Sequence, residues 1–526
     1  MDRILVTEKI SAEGLEALKK DTVEVDVRLD LDKERLQQVI SEYDALVVRS
    51  ATKVTADIIA AGSRLRVIGR AGSGVDNIDV EAATQRGIIV VNAPASNNVA
   101  VAELTIGLML SLARMIPQAH LSLQNGEWKR NQFMGWEVRD KTLGLVGLGR
   151  IGSEVARRAR GLQMQVLAYD PIVSFDRASQ LGVECVTLDD LLSRSDIISL
   201  HVPLVDETRN MFHKEVLARM KPGASIINAS RGGIVNEADL LAAIESGHLA
   251  GAALDVYSKE PPVDRQVFGH PRILTTPHLG ASTVEAQALT GTDVAEGVLV
   301  ALEGGTPRYA VNAPFVAPEA WGVLQPYIGL GQQMGTLCRQ LIQSPIGSYE
   351  ITYLGELAEV DILPVRLAVL QGILTGTADQ RITPVNAPLI ARERGVAVVE
   401  HSDPQIEGYT GMLILRAMTA SGIREFRGTI LRGEPHVVQA DGYWVMFVAS
   451  GKLLFTYHND RPGLIGRVGT ILGAADVNIS AMYVGRQAPR KRAMMVLALD
   501  DTISAEALER IRAEPDIEQA YTVTLS

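Results

Sequence analysis

The amino-acid sequence predicts an α/β protein with two doubly wound parallel sheets, followed by two smaller α/β units. Three observations support this fold class. Short apolar runs alternate with helix-like segments from the first residues onward, a second and longer alternating series begins at Thr142, and a proline-rich stretch follows Gly304–Gly305. Strands separated by helices of this length pair in parallel and carry helices on both faces of the sheet.

Length and composition restrict the possible functions. The chain has 526 residues, enough for three or four domains, and a formal net charge of −11. This charge argues against a nucleic-acid partner, because neutralising phosphates requires a basic face. The first residues do not resemble a signal peptide, and no uncharged apolar run approaches the ~20 residues that span a bilayer. We therefore expect no membrane partner and a cytoplasmic location. The two cysteines, Cys185 and Cys338, exclude a disulfide framework and a cysteine metal site.

The individual elements follow from periodicity. In the first lobe, apolar runs predict strands at Ile4–Val6, Ala45–Val48, Val67–Gly69 and Ile88–Val91. A helix should begin near Asn97, whose side chain can cap it. The second series predicts six strands, as in a complete dinucleotide-binding sheet, at Leu143–Val146, Val166–Tyr169, Ile197–His201, Ser225–Asn228, Gly251–Asp255 and Ile273–Thr275. Residues Val284–Leu302 have the pattern of a long helix, and residues 452–526 have the strand and helix order of a ferredoxin-like module.

A glycine motif opens the second series. Gly147, Gly149 and Gly152 form G-x-G-x-x-G between an apolar run and a helix-like segment, which predicts a Rossmann-like lobe. The first glycine permits the tight turn, the second lets backbone amides approach a pyrophosphate, and the third lets helix and strand pack closely. Asp170 ends the next strand, where a carboxylate can accept hydrogen bonds from the ribose hydroxyls and repel a 2′-phosphate. We therefore expect NAD, although Asp170–Pro171 could also be a simple strand-end turn.

Three polar residues follow later strands of the same series. Arg231, Glu260 and His278 should lie together at the carboxyl edge of the sheet, where open α/β sheets bind ligands. Arginine offers a planar fork for a carboxylate, and a glutamate beside a histidine can orient it as a proton acceptor. Taken singly, the arginine could be a surface ion-pair partner, the glutamate a solvated acid and the histidine a helix cap. Jointly, after a dinucleotide motif, they indicate a catalytic set.

Parts of residues 1–312 resemble the signatures of the D-isomer-specific 2-hydroxyacid dehydrogenases, in the strings GRAGSGVDNID, VGLGRIG, NASRGGIVNE, GAALDVYSKEPP and TPHLGAST. The resemblance implies that Arg231 binds the substrate carboxylate, that His278 exchanges the C2 hydroxyl proton, and that Glu260 hydrogen-bonds the histidine. It also implies a discontinuous substrate-binding lobe, from residues 1–98 and 284–312, around an NAD-binding domain at residues 99–283.

The same resemblance implies the remaining cofactor contacts. Asp255 should lie by the nicotinamide, and Ser73 should touch cofactor or substrate from the other lobe, with Gly74 beside the substrate. His201 ends a strand but is assigned to the cofactor cleft, since His278 fills the role of base. The Arg231 and His278 side chains should also face the cofactor, whose further contacts are expected at Arg150, Ile151, Val202, Ala229, Ser230 and Gly280.

Two further arginines bear on the substrate. Arg49 and Arg70 follow strands of the first lobe and could form a phosphate site, although either could be a surface arginine. Both match phosphate-contacting positions in the branch of the family that oxidises 3-phosphoglycerate, and the string NGEWKRNQFMG is similar to that branch. The resemblance implies that Lys129, flanked by Trp128 and Arg130, reaches the site of a neighbouring subunit. The alternatives are a hydroxypyruvate or glyoxylate reductase, or a non-catalytic NADH-sensing scaffold.

The C-terminal part resembles regulatory modules. The string FTYHNDRPGLIGRVGTILGAADVNIS resembles the ACT domain, an amino-acid-binding module, at residues 452–526. Residues 317–451 are similar to the intervening domain of the long phosphoglycerate-oxidising enzymes. The resemblance implies feedback by L-serine held between two ACT domains of a homo-oligomer, expected to be a homotetramer. The effector contacts would be His458, Asp460 and Asn478, although the turn at Asp460 could simply cap a helix.

Overall fold

A computed structural model gives the structure of the chain and describes residues 1–262, 265–314, 318–344, 346–377, 380–420 and 422–525. Four sheets are present, two of them parallel, and the predicted α/β fold class is confirmed.

The first sheet forms the first lobe. Most of its strands are buried and largely apolar, which suits a parallel sheet covered on both faces. They are β1 (Asp2–Val6), β2 (Val23–Val27), β3 (Ala45–Val48), β4 (Val67–Arg70) and β5 (Ile89–Val91), in the spatial order β2-β1-β3-β4-β5. The helices between them are α1 (Ala12–Leu18), α2 (Lys33–Val39), α3 (Ala56–Ala61) and α4 (Val80–Gln85).

The second sheet is a parallel sheet of seven strands. They are β6 (Thr142–Val146), β7 (Gln165–Tyr169), β8 (Glu184–Cys185), β9 (Ile197–Leu200), β10 (Ser225–Asn228), β11 (Gly251–Leu254) and β12 (Ile273–Thr275). The order β12-β11-β10-β9-β6-β7-β8 places the topological switch point between β6 and β9, where such sheets bind dinucleotides. The helices of this lobe are α5 (Asn98–Arg114), α6 (Ile116–Gln124), α7 (Arg150–Gly161), α8 (Phe175–Gln180), α9 (Leu188–Arg194), α10 (Lys214–Ala218), α11 (Glu237–Glu245) and α12 (Arg265–Phe268).

Helix α13 (Val284–Leu302) returns the chain to the first sheet. Its apolar face joins the core of the first lobe through Val294 and Val298, which lie against Gly69 of β4. A Cβ at Gly14 of α1 would lie 2.7 Å from the Cα of Gly291, so the two helices cross where both residues are glycine. The first lobe is therefore completed by a helix that follows the whole second sheet in sequence.

A third unit has a mixed six-stranded sheet. Its strands are β13 (Ile346–Gly355), β14 (Ala397–Asp403), β15 (Gly411–Thr419), β16 (Gly422–Leu431), β17 (Glu434–Ala440) and β18 (Tyr443–Val448), in the order β14-β13-β15-β16-β17-β18. Only the β13–β14 pair is parallel among the pairings of this sheet. The helices are α14 (Pro318–Leu341), α15 (Leu363–Leu374) and α16 (Ala387–Glu393).

The fourth unit has the predicted ferredoxin-like order. Its elements are β19 (Gly451–Asn459), α17 (Leu464–Ala474), β20 (Ile479–Arg486), β21 (Arg492–Leu499), α18 (Ala505–Arg512) and β22 (Ile517–Leu525), with the strand order β20-β21-β19-β22. Both helices cover one face of this sheet. The other face shares a core with the third unit, and Gln340 of α14 exchanges two hydrogen bonds, of 2.8 and 3.0 Å, with the backbone of Thr524.

Several sequence-based details differ from the structure. Strand β2 was not predicted, because its VEVDV pattern alternates and is only partly buried. The second sheet has seven strands because the two-residue β8 adds an edge. The expected cap by Asn97 is wrong, since its side chain makes no capping bond to α5 and its Oδ1 accepts the hydroxyl of Ser73 instead.

Among the described residues, no single helix combines the length and apolar character needed to cross a membrane. The pair α5 and α6 satisfies those criteria only together, with a bend of 64° between them.

Helices α14 and α15 pack so closely that glycine is required at their crossing. A Cβ at Gly372 would lie 2.8 Å from the backbone nitrogen of Thr336, so we expect Gly372→Ala to lower the free energy of unfolding of this unit by roughly 1–3 kcal/mol. The matched control is Gly329→Ala in α14, where the added methyl group meets no atom within 4 Å. Calorimetry of the full chain should show a lower unfolding temperature for Gly372→Ala alone. Equal effects would contradict this packing argument.

Candidate active site

The glycine loop after β6 has the geometry that a pyrophosphate requires. Gly147 has φ +97°, and a Cβ there would lie 2.6 Å from the carbonyl oxygen of His201, so only glycine fits. Space above Gly149 is open, whereas a Cβ at Gly152 would strike the carbonyl oxygen of Gly147. Helix α7 begins at Arg150 without a side-chain cap, which leaves its first amides available to an anion. The residues present therefore fit a dinucleotide.

Asp170 ties this loop to the end of β7. Its Oδ2 accepts the backbone N–H of Leu148 at 2.8 Å, and its Oδ1 accepts those of Ile172 and Val173 at 2.9 and 3.2 Å. The carboxylate thus stabilises both the glycine loop and its own turn. It lies beside the loop that would hold the pyrophosphate, and its role toward the ribose hydroxyls stays a prediction.

His278 and Glu260 form a pair at the carboxyl edge of the second sheet. His278 Nδ1 lies 2.7 Å from Glu260 Oε2, and Glu260 Oε1 accepts the backbone N–H of Tyr257 at 3.1 Å. Because the ionised carboxylate can only accept, Nδ1 carries the proton and Nε2 keeps its lone pair. The side chain of His278 is 50% exposed, so Nε2 can meet a substrate. The arrangement suits a proton acceptor.

Asp255 fixes the loop that carries His278. The residue is completely buried after β11, and its carboxylate accepts the N–H groups of Leu279 and Gly280 at 2.7 and 2.9 Å and the hydroxyl of Thr276 at 2.6 Å. His278 itself has φ +54° and donates its N–H to the Asp255 carbonyl oxygen at 2.9 Å. Asp255 therefore holds the unusual backbone on which the histidine sits, a contribution that sequence reasoning missed.

Arg231 faces the first lobe. Its Nη1 donates to the carbonyl oxygen of Ser230 at 2.8 Å, and its Nε lies 3.4 Å from Asp76 Oδ2 of the first lobe. A Cβ at Gly74 would collide with the same guanidinium, so the substrate loop and the arginine meet closely. Sequence reasoning missed Asp76, although an acid within GSGVDNID beside two predicted substrate residues was a usable signal. The ion pair links the two lobes across the cleft.

Arg70 of the first lobe lies near Arg231, and Arg49 lies near Arg70. Burial and the neighbouring Arg231 lower the pKa of Arg70, whose guanidinium lies over Gly72. Arg49 is close enough to lower it further, and its Nη1 donates to the carbonyl oxygen of Lys9 at 3.1 Å. The cleft thus concentrates positive charge in a chain that is negative overall, which favours a substrate with more than one negative group.

The other predicted cofactor residues line the same sheet edge. Val202 follows β9, and Ala229 and Ser230 follow β10, where Ser230 Oγ donates to Asn228 at 2.8 Å. Burial lowers the pKa of His201 to about 4, and its Nε2 lies 2.9 Å from Ser199 Oγ behind the glycine loop. A neutral imidazole that lies behind the glycine loop cannot replace His278. Three remaining positions lie beside these, Arg150 and Ile151 at the start of α7 and Gly280 beside the Asp255 carboxylate.

Two predicted substrate residues differ in their settings. Ser73 Oγ donates to Asn97 Oδ1 at 2.8 Å and lies within 3.2 Å of the Ala93 carbonyl oxygen, where the two lobes join. Lys129 lies on the exposed loop after α6, where its Nζ is 2.6 Å from Glu127 Oε1. Trp128 beside it is 83% exposed. The structure does not bring Lys129 to the other site residues within one chain.

In the fourth unit, Asn478 lies far from the other two predicted effector residues, His458 and Asp460. Asp460 Oδ2 accepts the N–H of Arg490 at 3.0 Å and lies 3.5 Å from Arg486; both contacts, that of Arg490 first, lower the pKa of Asp460. A shallow pocket of about 360 Å³ surrounds it. His458 is buried, and that burial lowers its pKa. Asn478 Nδ2 donates to Asp500, at the end of β21 that lies away from Asp460. At ~3.4 Å per residue, the length of β21 separates Asn478 from Asp460 by roughly 24 Å.

Comparisons with known proteins agree with this arrangement. Residues 106–280 match the NAD-binding domain of the D-isomer specific 2-hydroxyacid dehydrogenases, residues 323–441 the D-3-phosphoglycerate dehydrogenase intervening domain, and residues 452–516 the ACT domain. The D-3-phosphoglycerate dehydrogenase of Synechocystis is 44% identical, covering 100% of this chain and 95% of that protein. That of Methanocaldococcus jannaschii is 43% identical, covering 100% of both.

A solved structure matches the two lobes with parallel sheets. The NAD-dependent formate dehydrogenase of Staphylococcus aureus, in complex with NAD, is 32% identical and superposes with a TM-score of 0.52. The match covers 58% of this chain and 96% of that one.

The contacts of Asp170 lead to a test of cofactor preference. Asp170→Ala should weaken NAD binding and narrow the preference for NAD over NADP, since the acceptor of the ribose hydroxyls and the charge that repels a 2′-phosphate are both lost. Asp170→Asn is the matched variant, because it removes the charge but retains one acceptor oxygen. It should improve use of NADP with a smaller loss of NAD affinity. Steady-state KM values for both cofactors provide the measurement. Equal use of NADP by the unaltered enzyme would contradict this role of the charge.

Proposed function

Because the chain belongs to the D-3-phosphoglycerate dehydrogenase family, within the D-isomer-specific 2-hydroxyacid dehydrogenases, we propose that it oxidises (R)-3-phosphoglycerate to 3-phosphohydroxypyruvate with NAD, the first committed step of serine biosynthesis. The observation that carries the proposal is the His278–Glu260 pair at 2.7 Å, on the same sheet edge as Arg231. When bound at the glycine loop, NAD supplies the acceptor for the C2 hydride.

The chain's own residues supply the proton chemistry and the binding. His278 Nε2 accepts the C2 hydroxyl proton, while Glu260 holds the ring and stabilises the imidazolium that forms. Arg231 binds the substrate carboxylate with its planar fork and polarises the C2–oxygen bond. Asp255 keeps the histidine loop in place through its three hydrogen bonds. Closure of the two lobes would exclude water from this cleft.

Positive charge around the cleft supports a phosphorylated substrate. Arg70 lies near both Arg231 and Arg49. Arg49 and Arg70 are the groups proposed to bind the phosphate, and Ser73 and Gly74 are proposed to bind the rest of the substrate. A hydroxypyruvate or glyoxylate reductase acts on an unphosphorylated substrate and would need neither arginine. This chain also has the intervening and ACT units, and relatives named D-3-phosphoglycerate dehydrogenase match it along its entire length. Both findings favour the phosphoglycerate substrate.

Replacing the proposed base tests the chemistry. We expect His278→Ala to lower kcat about 10²–10⁴-fold, the usual contribution of a general acid–base group, while NADH binding changes little. Glu260→Gln, which keeps the shape but removes the charge that stabilises the imidazolium, should give a smaller loss. Turnover of 3-phosphohydroxypyruvate and NADH fluorescence titration provide the two measurements. Activity of His278→Ala within a few-fold of the unaltered enzyme would refute the mechanism.

For the ACT unit, we propose feedback inhibition by L-serine bound between two ACT modules of a homo-oligomer. The separation of Asp460 and Asn478 within one chain supports a site that needs two copies, since an antiparallel pairing of two β20 edges would bring them together. Asp460 would pair with the serine ammonium, and the first amides of α17 would bind its carboxylate. Lys129, and the tetramer as the assembly, belong to the same oligomeric proposal.

Serine inhibition should depend on Asp460. Initial rates should fall as serine rises, and Asp460→Ala should abolish that fall because the ammonium loses its partner. Inhibition at a remote site requires serine to bind the less active state more tightly. Serine calorimetry on the same proteins separates the outcomes. Absence of serine binding to the unaltered protein would exclude the serine site, whereas binding without inhibition would assign the ACT unit another role.

A further inference from the structure

Glu8 binds the loop that carries Arg49. It lies two residues beyond β1, at the carboxyl edge of the first sheet, next to the loop of residues 49–52 that follows β3. Its Oε1 accepts the backbone N–H groups of Arg49 and Thr52 at 2.9 and 2.8 Å, and its Oε2 accepts that of Ala51 at 3.0 Å. One carboxylate therefore accepts three backbone N–H groups of this loop.

Asn77 holds the same loop from the other side. Its Nδ2 donates to the carbonyl oxygens of Arg49 and Thr52, each at 2.7 Å. Arg49 and Thr52, the two end residues of the loop, thus each donate their N–H to Glu8 and accept from Asn77 through their carbonyl oxygen. Because the backbone of Arg49 is fixed at both its N–H and its carbonyl, the origin of the arginine side chain is fixed as well.

Glu8 is also a countercharge for the cleft. Burial raises the pKa of this carboxyl, but the three backbone hydrogen bonds outweigh burial and lower it overall. A carboxyl group whose folded-state pKa is depressed stabilises the structure at neutral pH, and that contribution is lost only on acidification. The ionised group in turn raises the pKa of Arg70, so it lies within electrostatic reach of the arginine cluster.

We propose that Glu8 is a positioning residue that sets the place of Arg49 and thereby the preference of the cleft for a phosphorylated over an unphosphorylated 2-hydroxy acid. This rests on the proposed function, in which Arg49 contacts the substrate phosphate. A purely structural turn cap would affect stability and all substrates alike. A positioning role predicts a change confined to the phosphorylated substrate and dependent on Arg49.

The variant Glu8→Gln keeps the length of the side chain but directs an amide group at one of the three backbone donors. We expect KM for 3-phosphohydroxypyruvate to rise about ten-fold, the size of one charged hydrogen bond, and KM for hydroxypyruvate to change less than about two-fold. The matched control is Glu34→Gln, an exposed acid of α2 in the same lobe, for which both KM values should stay the same. A proportional rise for both substrates would overturn the proposal.

A double-mutant cycle with Arg49→Ala separates this inference from the proposed function. If Arg49 contacts the phosphate, Arg49→Ala alone raises KM selectively, and adding Glu8→Gln to it causes no further loss of selectivity. An additive effect would overturn the positioning role and leave the phosphate contact intact. An unselective effect of Arg49→Ala would overturn the phosphate contact itself. If Glu8→Gln fails to fold, Asn77→Ser should shift selectivity in the same direction, and no shift would overturn the proposal.

Discussion

Parallel pairing of buried strands is the constraint on which the whole catalytic unit depends. Because all strands of a parallel sheet end at one edge, residues distant in sequence but following different strands meet there. Arg231, Glu260 and His278 follow β10, β11 and β12, and the glycine loop follows β6. The first sheet has the same arrangement, with Glu8 and Arg49 after β1 and β3 and Arg70 as the last residue of β4. Two such edges facing each other make one cleft.

The arginines at this cleft repel one another, and neighbouring carboxylates offset part of that repulsion. Like charges close together disfavour one another, and Arg231 and Arg49 add to the effect of burial, the main cause, in lowering the pKa of Arg70. Two carboxylates reduce the repulsion in different ways. Glu8 is held by the backbone of its own lobe, whereas Asp76 reaches across to Arg231 at 3.4 Å. A substrate with a carboxylate and a phosphate would supply the same compensation more completely, which is why the chemistry of the ligand can be argued from the charges of the site.

Sequence reasoning recovered the parts of the site that depend on strand order. Three residues after apolar strands could be placed at one edge because period and spacing determine where a parallel strand ends. Asp255 shows what the sequence does not reveal. Its complete burial and its bonds to Thr276, Leu279 and Gly280 depend on the positive φ of His278, and neither hydrophobic pattern nor spacing reports a backbone angle. A residue that positions another residue, as Asp255 does, can be identified only when the conformation of the loop is known.

The same limit applied to individual elements. Strand β2 was missed because its residues alternate, whereas the buried strands β3 and β10 were predicted with their observed ends since continuous apolar runs have clear boundaries. Asn97 was expected to cap α5, but Ser73 competes for its side chain. The helix-capping preference of asparagine predicted a polar partner for Asn97, and a tertiary contact made Ser73 that partner. The separation of Asp460 and Asn478 is likewise a consequence of strand register, which a motif cannot express.

Contacts between the units connect the ACT sheet to the third unit. The ACT sheet shares a continuous core with the third unit, and the half-buried Arg424 adds hydrogen bonds to Asp441 and to Tyr457 of the ACT sheet at 2.9 and 2.7 Å. In a core of this kind, packing transmits displacement because interiors are dense.

The third unit in turn binds the first lobe. The buried Asn386 donates to the carbonyl oxygen of Gln85 at 3.2 Å, and Thr383 donates to that of Gly87 at the same distance. Gly87 has φ +68°, and a Cβ there would lie 2.5 Å from Thr383 Oγ1, so this contact requires glycine. Strand β5 leads from this turn to Asn92, whose Nδ2 donates to the Ser73 carbonyl oxygen at 2.5 Å. A continuous series of packed contacts therefore joins the ACT sheet to the substrate loop.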